Sequence, residues 1–392
     1  MVPLNSAPEN WPPQNWPHQN WPHQNWPLQA PPPQDRLWLR VEDASAVSAC
    51  RNAALALADR LQFPAARADQ LALAVTEAAS NLHKHASEGS LGLGVNRDGD
   101  PPGIDLVTID AGPGLADVDA VLRDGHSTAG TLGIGVGAIR RLADFCDLYS
   151  RPGRGTALAA RFKTLLAGGT TPPYPPGHGG AARPPVPPRG GADRPSGPPR
   201  RPSGPRWAGL IRPIGGETEC GDAYGAVQRE DTVTAVMCDG LGHGPLAAAA
   251  AAAGVAAFLE DPAGDPATLL GRMHRRMAGT RGGAVGVVQL GGGTARFAGL
   301  GNIAASVLGQ GRRKSMISIP GIAGLQARTI RQFEYELPPG AAVILHSDGI
   351  SSRWEAAALP GLETRDPLLI AAVLLGEAGI HRDDAGIVVL KP

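Results

Sequence analysis

From residue 167 to residue 206 the sequence reads AGGTTPPYPPGHGGAARPPVPPRGGADRPSGPPRRPSGPR. No apolar stripe of either helical or strand period runs through it, and its prolines remove backbone donors and forbid helix. Such a stretch has nothing to bury. It is expected to be a disordered linker, semi-rigid where the prolines cluster. The chain must therefore fold as two units, at 37–166 and 207–392, each long enough for its own core. Ahead of them lies a tail, residues 1–36, built on the pentapeptide NWPxQ between Asn10 and Gln29. Proline at every fifth position makes this tail extended and disordered as well. Trp11, Trp16, Trp21 and Trp26 could offer contacts to a partner, but a tolerated slippage repeat is the preferred reading.

Lysine plus arginine balance aspartate plus glutamate, 36 against 36. Bulk charge thus points to neither nucleic acid nor an anionic membrane. Four separated cysteines, Cys50, Cys146, Cys220 and Cys238, form no CxxC pair, which suits a reducing compartment. The N-terminus lacks a basic segment followed by an apolar core, and LAAAAAAAGVAAFL (Leu246 to Leu259) is too short to span a bilayer. A soluble, cytoplasmic protein is expected.

The second unit alternates many short apolar runs with three helical segments, near Pro245–Glu260, Pro266–Ala278 and Asp366–Gly376, as a sheet sandwich flanked by helices would. Four runs deliver an aspartate beside a tight turn: ECGDAYG (Asp222), VMCDGLGHG (Asp239), HSDGI (Asp348) and HRDDAGIVV (Asp383, Asp384). One Asp-Gly turn is ordinary. Four carboxylates gathered at one place repel each other unless hard cations stand between them. Cys238, next to Asp239, should face the opposite side of its strand as a buried structural residue.

The order GD, DGLGHG, SDGI, DDAGIVV resembles the SpoIIE/RsbX branch of the metal-dependent serine/threonine phosphatases, the PPM superfamily. The resemblance covers 207–392 and implies an α-β-β-α sandwich with two Mn²⁺ or Mg²⁺ ions at one end. It implies that Asp239 bridges both ions with the Gly240 carbonyl beside it, and that Asp222, Asp348 and Asp383 complete the set, with Asp384 as second choice. His243 matches the family's GHG turn, either to position water or phosphate or simply to fill the turn. Gly386 departs from the family, which usually has a β-branched hydroxyl residue there; a loosened final strand is expected.

In the first unit, LAVTEAASNLHKHA puts Glu77 and Asn81 four apart, on one face of a helix. TIDAGPGL supplies Asp110, Gly112 and Gly114 after an apolar strand, and GTLGIGVGAIRRL supplies Gly133, Gly135 and Gly137 as a helix opens near Ile134. Glycine turns at helix N-termini present N–H groups to phosphates. Neither a dinucleotide fingerprint nor a Walker A ending is present. His83 and His85, two apart on a helix, point different ways and read as structural or solvated. The combination resembles the GHKL (Bergerat) ATP-binding fold, and specifically RsbT/RsbW-type serine kinases. That implies ATP with Mg²⁺ held by Asn81, Glu77 as base for a substrate serine, Asp110 on the adenine amino group, Thr156 in support, and the five glycines shaping the pocket. Thr131 departs from the family, which often has glycine there.

The expected fold class is therefore α+β: a GHKL α/β sandwich joined through the linker to a PPM sandwich. Both resemblances imply one target class, a STAS-domain anti-anti-sigma protein switched by serine phosphorylation. The expected function is a bifunctional regulator, phosphatase at the C-terminus and kinase at the N-terminus. The alternative is a phosphatase whose ATP domain sequesters a sigma factor or senses nucleotide without phosphate transfer.

Overall fold

The computed structural model describes residues 36–96, 102–118, 121, 132–164, 206–215 and 217–392. The NWPxQ repeats, all but the last residue of the linker, and Thr131 lie outside the described residues. The N-terminal unit is one antiparallel sheet in the order β1-β2-β3-β5-β4: β1 (Arg36–Arg40), β2 (Ser90–Asn96), β3 (Gly103–Ile109), β4 (Phe145–Arg151) and β5 (Gly155–Lys163). Three helices cover one face, α1 (Ala44–Arg60), α2 (Ala65–His85) and α3 (Leu132–Leu142). The Asp43 carboxylate accepts from Ala46 N–H at 3.0 Å and so caps the first turn of α1. His83, Lys84 and His85 fill the last turn of α2, where positive charge suits the helix dipole.

The C-terminal unit stacks two five-stranded sheets. One runs β13-β10-β9-β8-β7 and the other β12-β11-β14-β15-β6. Their strands are β6 (Arg206–Arg212), β7 (Asp222–Arg229), β8 (Thr232–Gly240), β9 (Gly283–Gly291), β10 (Thr294–Leu300), β11 (Ala304–Gly309), β12 (Arg312–Ser315), β13 (Phe333–Glu336), β14 (Ala342–His346) and β15 (Ala385–Lys391). A core of Met237, Val288, Phe297, Val343, Leu345 and Val388 fills the space between the sheets. Helices α4 (Pro245–Glu260) and α5 (Pro266–Arg276) cover the first sheet, and α6 (Pro367–Ala378) covers the second. Asp265 and Asp366 cap α5 and α6 with proline at the next position, the usual helix-start pairing. The expected α-β-β-α order is thus present, and Cys238 lies with Val236 and Phe258 in the layer under α4, away from Met237.

Several expected elements differ. SMISIP, read as a strand of its own, is the last residue of β12 (Ser315) followed by irregular chain with one bridge, Ile319 to Leu300. Its backbone is satisfied otherwise: Ile317 N–H donates to the Tyr335 hydroxyl at 2.8 Å, and Ile319 N–H to Gly299 C=O at 2.8 Å. TIRQFEYEL narrows to the four residues of β13. Helix α3 starts at Leu132, two residues before the expected Ile134, so Gly133 joins Gly135 and Gly137 within its first turns. Among the described residues no helix is long and apolar enough to cross a membrane.

The two units share a layer. α6 (PLLIAAVLLGEA) is apolar around most of its circumference, the signature of a helix buried on more than one side. One side packs on β15 and β6 through Ile387, Val389 and Leu210, the other on Val107, Ala157 and Ala159 of the N-terminal sheet. Period-two alternation makes this possible, since Leu106, Leu158 and Ala160 on the same strands point to α1–α3 instead.

Candidate functional site

Strand pairing within each sheet, and sheet stacking that sets Ser347 on Asp222, bring the acidic residues of the C-terminal unit to one end. Asp222 opens β7 and Asp239 lies at the end of β8, and the two are directly paired across the strands. β14 ends at His346, so Ser347 and Asp348 follow at the same end, and Asp383 and Asp384 precede β15, the neighbour of β14. Gly240 lies under α4: a Cβ there would stand 2.1 Å from the Ala247 carbonyl oxygen. A glycine therefore lets the helix N-terminus close over the turn.

The electrostatics of this end are unfavourable as they stand. Burial, then the charges of Asp348, Asp383 and Asp384, push the Asp239 carboxyl up to about 7. Asp222 is fully buried and held well above the usual carboxylate range by burial and then by Asp239; a hydrogen bond from Ser347 opposes the shift. Asp383 is raised by burial and Asp348, with the Asp384 N–H and His243 pulling the other way. The Ser347 hydroxyl donates to Asp222 Oδ2 at 2.6 Å, yet Asp222 Oδ1 is buried without a partner. An orphaned carboxylate oxygen facing other carboxylates is the donor set a hard divalent cation takes. Among the described residues no group of three or more His, Cys, Asp or Glu side chains stands close enough to hold a metal ion as placed. Asp384 differs from its neighbour. Both its oxygens accept backbone N–H groups, of Ile214 at 2.8 Å and Gly221 at 2.9 Å, so it ties the β6–β7 connection to β15. Among the described residues Asp383 accepts from the Asp384 N–H, at 2.9 Å.

In the N-terminal unit Glu77 and Asn81 meet below α3. A Cβ on Gly135 would stand 2.8 Å from Asn81 Nδ2 and 3.0 Å from Glu77 Oε2, so both polar groups face that helix. Next to Asn81 an open-sided cavity is lined by Asp110, Gly114, Leu115, Val136, Ile139 and Thr156, among others. Its mostly apolar lining with few polar groups suits a planar heterocycle. Burial raises the Asp110 carboxyl, against the N–H groups of Gly112 and Thr156. The loop carrying Asp110 is stitched to the β4–β5 hairpin: Asp110 N–H donates to Thr156 C=O at 3.0 Å, Gly153 N–H to Pro113 C=O at 2.7 Å, and Leu115 N–H to Ser150 Oγ at 2.8 Å. His85 lines the cavity, and both it and His83 are exposed.

Residues 41–162 match the family described as histidine kinase-like ATPase domain, and residues 229–391 match the stage II sporulation protein E (SpoIIE) family. Over 126 residues the chain is 31% identical to the serine/threonine-protein kinase RsbT of Bacillus subtilis (strain 168), a stretch covering 32% of this chain and 95% of the relative. The chain belongs to the RsbT family. Behind that unit it carries a serine/threonine protein phosphatase domain of the SpoIIE (PPM) type. Among solved structures it is similar to RsbX in complex with magnesium (17% identity, TM-score 0.44, 48% of this chain and 96% of that one). It is also similar to the PP2C phosphatase domain with a fragment of the regulatory domain of SpoIIE from Bacillus subtilis (14% identity, TM-score 0.42, 74% and 79%). At such scores these likenesses carry no weight, and the assignment rests on the sequence matches.

Three neighbours of the SpoIIE-type carboxylates take their roles from geometry: Asn302 and Arg281 lie outside every motif, and Ser347, inside SDGI, has no role that the motif assigns. Asn302 Nδ2 donates to Asp348 Oδ2 at 2.8 Å, and the Arg281 guanidinium reaches over the GLGHG turn, 3.2 Å from where a Gly242 Cβ would be. Ser347, which holds Asp222, also accepts the Gly386 N–H at 2.9 Å. This corrects the expectation for Gly386. The final strand is not loosened there, because Gly386 pairs with Ile211 and is tied to Ser347. A Cβ at that position would meet Met237 Sδ at 2.9 Å and Asp222 Oδ2 at 3.1 Å, so the missing side chain makes room for the carboxylate. Ser347→Ala is expected to weaken Mn²⁺ binding by roughly 10–100-fold, the usual effect of losing a group that orients a ligand, as read by calorimetric titration.

Proposed function

We propose that this chain is a bifunctional, cytoplasmic regulator of a STAS-domain anti-anti-sigma protein. Its SpoIIE-type unit removes phosphate from a serine of that protein and its RsbT-type unit places it there from ATP. The observation that carries the phosphatase half is the convergence of Asp222, Asp239, Asp348 and Asp383 from four strand ends, with Asp222 Oδ1 buried and unpartnered. These residues, with the Gly240 carbonyl, would hold two Mn²⁺ or Mg²⁺ ions, with Asp239 between them. Bound there, such ions supply an acidified water and neutralise charge on the phosphoryl oxygens. The chain's own residues do the rest. Ser347 and Asn302 fix Asp222 and Asp348 in orientation, Asp384 anchors the last ligand loop, and Arg281 over the glycine turn offers a phosphate a cation. The four cysteines supply no nucleophile: Cys238 is buried under α4, where burial pushes its thiol up.

For the kinase half, Asn81 would hold Mg²⁺ of bound ATP and Glu77 would take the proton of the substrate serine. Asp110, Thr156 and the glycines Gly112, Gly114, Gly133, Gly135 and Gly137 would frame the nucleotide. Retention of Glu77 beside Asn81 favours transfer over mere binding, since a pure binding module needs no base.

Two assays on one phosphoacceptor decide the reading. A phosphorylated STAS protein is expected to lose its phosphate only with Mn²⁺ or Mg²⁺ present. Its unphosphorylated form is expected to gain label from γ-labelled ATP with wild type and not with Glu77→Ala. Hydrolysis without any transfer would leave a phosphatase whose ATP unit sequesters a sigma factor or senses nucleotide. Absence of divalent-dependent hydrolysis would overturn the phosphatase assignment of these carboxylates.

A further inference from the structure

α6 has the N-terminal sheet on one side and the loops of the phosphatase carboxylates at its end. On the first side the fit is close. A Cβ at Gly376 would stand 2.4 Å from Ile109 Cγ2, and Ile109 is the residue before Asp110. Glu377 pairs with both Arg151 and Arg154 of the β4–β5 hairpin, and Arg151 also donates to the Ala358 carbonyl. Polar groups also meet across the junction, though among the described residues Arg36 Nε and Arg151 Nε are buried without a partner. Trp38 Nε1 donates to Ile211 C=O at 2.8 Å, Arg365 pairs with Asp147 at 3.1 Å, and Tyr149 Oη donates to Pro360 C=O at 3.3 Å. A contact with an apolar centre and a mostly partnered polar edge resembles a permanent interface more than a chance one.

On the second side α6 runs straight into the site. Ser351 N–H donates to Ala378 C=O at 2.8 Å and Ile380 N–H to Gly349 C=O at 2.7 Å, so the last turn of α6 grips the loop that begins at Asp348. Gly349 in turn lies against the Asp384 carbonyl, where a Cβ would stand 1.7 Å from the oxygen. Three residues after Ile380 come Asp383 and Asp384. The loop that frames the nucleotide cavity is bonded to the same hairpin that holds Glu377.

We propose that α6 is a docking surface whose partner is the β1–β5 sheet of the same chain, and that through it a nucleotide in the RsbT-type cavity tightens divalent-cation binding at the SpoIIE-type carboxylates. The proposal rests on the two-site reading above. A nucleotide that orders the Asp110–Leu115 loop and its hairpin also fixes the end of α6. The cation then finds Asp348 and Asp383 already held, so less ordering remains for the second ligand to impose. Linkage makes the effect reciprocal.

The test uses the full chain at buffered free Mn²⁺, with and without a non-hydrolysable ATP analogue whose binding is measured separately by fluorescence. The readouts are the Mn²⁺ midpoint for hydrolysis of p-nitrophenyl phosphate and hydrogen exchange across 376–384. The analogue is expected to lower the midpoint by about 5-fold or more, the lower end of ordinary coupling, and to slow exchange in that segment. Glu377→Ala, a surface change that leaves both sites intact, is expected to reduce the shift to less than about twofold. Gly376→Val, which forces Ile109 away, is expected to do the same. An unchanged midpoint and unchanged exchange with analogue bound would overturn the coupling alone. So would a shift that survives Glu377→Ala, or one toward weaker binding. Failure of the analogue to bind would overturn the cavity assignment and the coupling together.

Discussion

Asp239→Asn is expected to lower Mn²⁺-dependent hydrolysis of p-nitrophenyl phosphate at least about a hundredfold, beyond the ~10–100-fold that loss of a merely orienting neighbour causes. The same variant, freed of metal, is expected to melt at a higher temperature than wild type. Both effects have one cause. Asp239 is paired with Asp222 across the strands, and burial and the charges of Asp348, Asp383 and Asp384 oppose its ionisation. Without a cation the ionised carboxylate opposes folding, and an amide of the same shape removes that opposition. With a cation the carboxylate supplies affinity that the amide cannot. Saturating Mn²⁺ should therefore raise the melting temperature of wild type more than that of the variant. Equal melting shifts in the two proteins, with hydrolysis retained by the variant, would refute the placement of an ion at this residue. Differential scanning fluorimetry with EDTA or Mn²⁺ gives the comparison.

Gly155→Ala is expected to be the most damaging single-methyl change in the N-terminal unit. Gly155 opens β5 with φ +86°, a region that L side chains rarely adopt, and a Cβ there would stand 1.8 Å from the Asp110 carbonyl oxygen. The backbone strain costs about 1–3 kcal/mol and the forced displacement a similar amount, so a loss of roughly 2–6 kcal/mol is expected. Because the atom displaced belongs to the residue before the Gly112 turn, nucleotide affinity should fall with stability. Urea unfolding and fluorescent-nucleotide titration read the two effects. A stable variant with undiminished affinity would show that the hairpin does not support the cavity.

Much of the candidate chemistry was legible because it depends on local pattern. DGLGHG and SDGI announce carboxylates at strand ends, and the spacing of Glu77 and Asn81 puts them on one helix face whatever that helix packs against. Capping was legible too, in the Asp-Pro pairs before α5 and α6. Other features had weaker signals or none. SMISIP alternates like a strand, but a tyrosine hydroxyl and the neighbouring strand satisfy its backbone from outside the pattern. Ser347 and Asn302 act on aspartates through side chains that no spacing rule links, since Ser347 reaches Asp222 across 125 positions. Gly386 looked like a weakness because the motif expects a hydroxyl there; the room it leaves for Asp222 exists only once β7, β14 and β15 are assembled.

α6 marks the division most clearly. The string LLIAAVLLGEA by itself determined that a helix would form and would be buried on nearly every side, because hydrophobic period and cap are properties of consecutive residues. Likewise the sequence determined that two folded units flank a proline-rich tether, and that aspartates would end the strands of the second. Which surface closes over the outer side of α6 was decided only in three dimensions. Burial of an apolar face is non-directional: it demands a partner without naming one, and the choice of the β1–β5 sheet depends on Ile109, Arg151 and Glu377 meeting across more than two hundred residues of chain.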